Sequence, residues 1–208
     1  MAAEATSTTT RLEAFSDGVI AIAITLLVLE VTPPHVRDGQ LWDALLDQWP
    51  SYAAYVLTFV VIGIMWINHH RIFEHILAVD RGLMFINLMM LMGIAFLPFP
   101  TALLAQYVVD GGQNAEVSAA VYSTTMVFIG VMFTSMWPYL RRHRQLLEPA
   151  MTDELLAMSQ HRSVRGPVIY ALSIPLAFVS PEACLALYAV VAGYFAFGGQ
   201  PARAVRET

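Results

Sequence analysis

Apolar residues fall along this chain in six blocks, and polar residues collect in the stretches between them. The blocks run from about Leu12 to Val31, Pro50 to Asn68, Gly82 to Leu104, Val117 to Leu140, Val164 to Val179 and Glu182 to Phe197. A helix crosses a bilayer in about 20 residues, with a range of about 17–25. The first four blocks meet that length, with Pro98 and Pro100 near the end of the third. The last two are short and separated only by Ser180-Pro181, and Pro175, Pro181 and Glu182 favour a tight hairpin over one long helix. The pattern therefore predicts an all-α integral membrane protein with six transmembrane helices. A short surface helix is expected over Glu148 to Gln160.

Composition agrees with this class. Of 208 residues, 57% are apolar and 13% charged, and the mean hydropathy is +0.59. Soluble domains carry about 25% charged residues. One transmembrane domain is expected over 11–199, with a disordered tail at 1–10 and a C-terminal tail at 200–208. The opening MAAEATSTTT lacks the positive n-region of a signal peptide, so the first span is expected to be retained. A net charge of −5 does not suit nucleic-acid binding, and the partners expected are the bilayer and other copies of the chain. The single Cys184 excludes an internal disulfide and reads as apolar filler; no cofactor is expected.

All eleven basic residues are arginines. With six spans, one side holds Arg11, Arg71, Arg81, Arg141, Arg142, Arg144, Arg162, Arg165, Arg203 and Arg206, and the other only Arg37. The positive-inside rule then places both termini in the cytoplasm of a cell-membrane protein. The opposite side carries Glu30, Asp38, Asp43, Asp47, Asp110, Glu116 and Glu182. That field would concentrate cations at an outer mouth, although outer loops also lack arginine for topological reasons alone.

The first helix carries the most information. It opens on Arg11, Phe15, Ser16 and Asp17, continues apolar around one hydroxyl, Thr25, and closes on Glu30. At about 100° per residue, Phe15, Gly18, Ile22, Leu26 and Leu29 share a stripe with Thr25 at its margin. Asp17 points away from it. Such a stripe fits a packing face as well as a pore wall, and the small Gly18, Ala21 and Ala23 suit close packing. An ionisable residue in a membrane helix needs a partner. Arg11, Ser16, Trp66, His69 and His70 are the candidates for a polar network that fixes the first helix against the second.

The sequence Arg11-x3-Phe15-Ser16-Asp17-Gly18, then Ala21-Ile22-Ala23-x-Thr25-Leu26-Leu27-x-Leu29-Glu30, resembles the signature of the transmembrane protein 175 family of potassium channels. Trp66-Ile67-Asn68-His69-His70-Arg71 adds a second similarity. The chain has one signature copy, as in prokaryotic six-span members. The resemblance implies a homotetramer whose first helices line a central pore. It implies an apolar constriction at Ile22, further layers at Leu26 and Leu29, a hydroxyl ring at Thr25, and Glu30 at the outer mouth. It also implies permeation by potassium and other monovalent cations with moderate preference over sodium. The carbonyl-filter sequence Thr-Val-Gly-Tyr-Gly is absent.

Two other classes fit less well. His69, His70, Glu74 and His75 have spacings that suit a metal, but histidine-box enzymes need more clusters than six histidines supply. No metal site and no enzyme is expected, and pH sensing by these histidines stays open. A secondary transporter is the main alternative, yet the chain shows no internal repeat and no charged group at mid-membrane outside the first helix. Arg141-Arg142-His143-Arg144 suits the anionic inner leaflet, and Trp42, Trp49, Trp66 and Trp137 lie near span ends.

Overall fold

A computed structural model describes residues 9–109 and 111–197. Most of the expected N-terminal tail, the whole expected C-terminal tail, Asp110, Arg203 and Arg206 lie outside these residues. The elements are α1 (Thr9–Leu26), which tightens into a 3-10 turn at Leu27–Glu30, α2 (Leu41–Asp47), α3 (Trp49–Phe73), α4 (Arg81–Phe96), α5 (Pro98–Tyr107), α6 (Gly112–Arg142), α7 (Asp153–Ala177) and α8 (Pro181–Phe197).

Four segments are long and apolar enough to cross a membrane: Thr9–Glu30, Trp49–Phe73, Arg81–Tyr107 and Gly112–Arg142. Their packing follows the sequence. α6 is the central helix and touches α4, α5, α7 and α8, while α1 lies against α3, α4 and α5. The third segment is two helices, because Leu97 ends α4 and the prolines at 98 and 100 open α5. Proline is tolerated in the first turn, where its missing N–H has no intrahelical partner. α7 and α8 meet as a hairpin with no continuous helix through Ser180-Pro181.

Two expectations change. α1 begins at Thr9, so Thr9 and Thr10 form its first turn and are not part of a tail. The stretch expected as a separate surface helix is the start of α7, capped by Thr152, whose Oγ1 accepts from the Leu155 N–H at 3.3 Å. α7 continues through Pro167 because the ring packs where a Cβ at Gly130 would lie 2.9 Å from Pro167 Cδ. The Ser163 carbonyl, which proline deprives of its helical N–H, accepts instead from Thr134 Oγ1 at 3.2 Å. The loop between α1 and α3 contains α2, a helix too short to show periodicity, and Gln48 Nε2 ties the loop down by donating to Thr32 O at 2.9 Å.

The linkers that follow α3 and α6 clasp each other. Leu77 N–H donates to Leu146 O at 2.8 Å, Glu148 N–H to His75 O at 3.1 Å, and His75 Nδ1 lies 2.5 Å from Glu148 Oε1. At the start of α4, buried Asp80 accepts from Leu83 N–H and from the Tyr139 hydroxyl, each at 2.8 Å. A Cβ at Gly82 would fall 2.1 Å from that hydroxyl oxygen. Gly82→Ala is therefore expected to displace Tyr139 and leave the Asp80 carboxylate short of a buried partner, at about 1–3 kcal/mol. Thermal unfolding in detergent reads this as a lower midpoint; an unchanged midpoint would show that Tyr139 moves freely.

Candidate functional site

α1 is buried on one side only. Ser16, Ile20, Ala23 and Leu27 face the bundle, whereas Phe15, Ile22, Leu26 and Leu29 are 53%, 60%, 42% and 67% exposed. The space beside Gly18 is open, with nothing within 4 Å of a Cβ built there. The stripe thus runs along the uncovered side of the helix. The 3-10 turn extends it, since residues three apart eclipse in that geometry and Leu29 stacks over Leu26. Thr25 Oγ1 donates back to the Ala21 and Ile22 carbonyls, each at 2.9 Å. Its proton is thereby committed to the helix, and its lone pairs remain outward for a cation or water. Glu30 closes the turn, half-buried.

The polar candidates separate into two groups. Trp66 Nε1–H donates to Asp17 Oδ1 at 2.8 Å, joining α3 to α1. His70, one turn beyond, stacks on the indole with ring centroids 6.0 Å apart and lies 3.7 Å from Glu74. The second group is fully interior. His69 Nε2 meets Asn87 Oδ1 at 2.9 Å, Asn87 Nδ2 donates to Ser16 Oγ at 2.9 Å, and Ser16 Oγ donates to Leu12 O at 2.8 Å. A carbonyl oxygen only accepts, so His69 Nε2 carries a proton. Every proton then has one direction, from α3 through α4 into the backbone of α1. Arg11 and Phe15 are exposed and stand outside both groups.

Asn87 is the residue that sequence reasoning missed. Its signal was present: it is the one amide in the apolar run Leu83–Ile94, where an unpaired polar side chain would be costly. The histidines do not converge. His69, His70 and His75 are committed to Asn87, Glu74 and Glu148, and the described residues contain no group of three or more His, Cys, Asp or Glu placed to hold a metal.

Asp17→Ala removes a solvent-exposed bond worth about 0.5–1.5 kcal/mol and frees one side of α1. It is expected to lower the thermal midpoint and, in the homotetrameric channel that the family resemblance implies, to impair assembly or gating before selectivity, as read by thermal unfolding, size-exclusion elution and open probability. A normal oligomer with normal gating would separate Asp17 from the positioning of α1.

These features define an all-helical integral membrane protein that presents an uncovered apolar stripe on a helix braced by polar contacts. Residues 11–98 match the family model described as endosomal/lysosomal potassium channel TMEM175. A potassium channel of Streptomyces collinus is 46% identical, covering 92% of this chain and 93% of that protein. One of Chamaesiphon minutus is 40% identical, covering 91% and 94%. The crystal structure of a lysosomal potassium-selective channel TMEM175 homolog from Chamaesiphon minutus matches with a TM-score of 0.80 at 37% identity, over 93% of this chain and 98% of that one. The chain belongs to the TMEM175 family, a family of channels and not of enzymes.

Proposed function

We propose that this protein is a potassium-permeable cation channel of the cell membrane, formed by four copies of the chain around the uncovered stripe of α1. The observation that carries the reading is Ile22, 60% exposed on a hydrophobic helix face in a chain whose relatives are named potassium channels. Other helices expose apolar side chains as well, Phe85, Leu172 and Val190 among them, as helices in lipid do, so the family match over α1 is what favours a pore for this face. Four spans come from the apolar segments above, and α7 with α8 supplies two more. The single channel domain covers 11–199, and the arginine distribution sets both termini in the cytoplasm.

In this assembly Ile22 forms the narrowest ring, with Leu26 and Leu29 as wider apolar layers toward Glu30. Isoleucine cannot replace a hydration shell, so the closed ring excludes ions by dewetting, and conduction requires the ring to widen. Potassium holds its water less tightly than sodium, and it passes at lower cost. The preference is moderate because few ligands replace the lost water. Thr25 supplies some of them through its outward lone pairs, and the acidic residues at the outer end raise local cation concentration.

The test is the reversal potential of purified protein in a planar bilayer between potassium and sodium solutions. A potassium-preferring current is expected. Tracer uptake without current would replace the channel by a transporter. Thr25→Ala is expected to lower the potassium-to-sodium permeability ratio about two- to fivefold, the effect of a difference of roughly 0.4–1 kcal/mol; an unchanged ratio would remove Thr25 from the selectivity mechanism.

A further inference from the structure

Away from α1, a crevice of about 840 Å³ opens between α3, α6, α7 and α8. Volumes of about 300–1,000 Å³ are those of ligand sites. Its walls are apolar over most of their length, with Val61, Ile64, Ile129, Phe133, Val191 and Phe195 among them. One end is polar and carries Arg71, Arg162, Ser159 and Ser163. Glu74 and His75 stand at the same end, but Glu74 lies 3.7 Å from His70, and His75 is engaged by Glu148. None of the ion pairs among the described residues engages Arg162.

The step from Val61 to Arg71 along α3 is about 15 Å at 1.5 Å per residue. One leaflet contributes about half of the roughly 30 Å hydrocarbon core. The crevice therefore changes from apolar to cationic over the depth of one leaflet, as a phospholipid changes from chain to headgroup. Arg141 and Arg142 end α6 and Arg144 follows it, at the same end of the molecule, and such basic runs attract anionic lipid.

We propose that this crevice is a binding site for an anionic glycerophospholipid of the cytoplasmic leaflet, with an acyl chain between α3 and α6–α8 and the phosphate at Arg162 and Arg71. The inference rests on the membrane topology proposed above and not on ion conduction. A bound lipid would wedge α7 and α8 against α3, the helix that holds Trp66 and His69.

The experiment uses purified protein in vesicles containing phosphatidylglycerol or phosphatidylcholine with brominated acyl chains, which quench tryptophan. Trp137 lines the crevice, and the difference between wild type and Trp137→Phe isolates its signal. Quenching by phosphatidylglycerol is expected to half-saturate at a mole fraction about fivefold lower than phosphatidylcholine, roughly the contribution of one arginine near an anionic surface. Arg162→Gln should erase that preference. Gly166→Leu should block quenching by both lipids, since Gly166 lines the crevice and a Cβ there meets Phe195 only at 3.8 Å, leaving room for the variant to fold. Equal quenching by the two lipids, a preference that survives Arg162→Gln, or quenching that survives Gly166→Leu overturns the proposal. No quenching by either lipid also overturns it and means that protein covers the crevice. Native mass spectrometry of lipid bound to wild type and Arg162→Gln measures the same preference without a change at Trp137. Ion flux is not read in either measurement, so a negative result leaves the channel reading standing.

Discussion

Ile22→Asn is expected to increase current about tenfold or more while lowering the potassium preference. In the proposed tetramer the substitution acts four times at one level of the pore. Each isoleucine removed takes away an apolar wall, and each asparagine supplies an amide that hydrogen-bonds water and keeps the constriction wet. A barrier lowered by about 1.4 kcal/mol, a small share of the change in four side chains, already gives a tenfold rate. Selectivity falls because a wet ring no longer asks sodium to give up more water than it can regain. The site tolerates the change structurally, since Ile22 is mostly exposed within the chain. Planar-bilayer recording beside the wild type reads both effects. Intact oligomers with unchanged current and unchanged reversal potential would place the constriction elsewhere, with Leu26 and Leu29 the next positions to test.

Asn87→Leu is expected to be the most damaging single change at the base of α1. Asn87 is 0% exposed, between Ser16 at 0% and His69 at 1%. Leucine fills the space but strands the His69 Nε2–H and removes the only donor that reaches Ser16 Oγ among the described residues. A buried group left unsatisfied costs about 1–3 kcal/mol; that cost falls on the His69 Nε2–H, since Ser16 Oγ keeps its bond to Leu12 O, and the variant is expected about 1–3 kcal/mol below wild type. Thermal unfolding and oligomer recovery in detergent measure this. Asn87→Asp keeps an acceptor for His69 and is expected to retain more stability than Asn87→Leu. Equal midpoints for wild type and Asn87→Leu would show that the chain of bonds contributes no net stability. The physical interest of the site lies in its direction: three helices are joined by a directed chain of hydrogen bonds, which sets the rotation of α1 and with it the face that Ile22 presents.

The stripe itself was legible from periodicity, because α1 is regular from Thr9 to Leu26 and a helix places residues three and four apart on one face. Asp17 was legible as a residue in need of a partner, and Trp66 was among its candidates. Which candidate it meets was not, since Trp66 and His70 stand one turn apart on α3 and only the relative placement of α1 and α3 selects the indole. Asn87 lay hidden for the same reason. Its bond to Ser16 spans 71 residues of sequence, and no local pattern connects them. The environment of Pro167 was equally hidden: α7 passes through it because Thr134 and Gly130, on another helix, supply a donor for the freed carbonyl and room for the ring.

The sequence by itself determined the membrane class, the positions of the apolar segments, the family signature and the face of α1 that carries Ile22. These depend on composition and on neighbours within about four residues, where chain geometry is known in advance. Only the tertiary structure decided which polar groups pair, that α1 is covered on one side alone, and where α3, α6, α7 and α8 leave a crevice. Those outcomes depend on how helices rotate and approach one another, and that is settled by packing between side chains far apart in the chain.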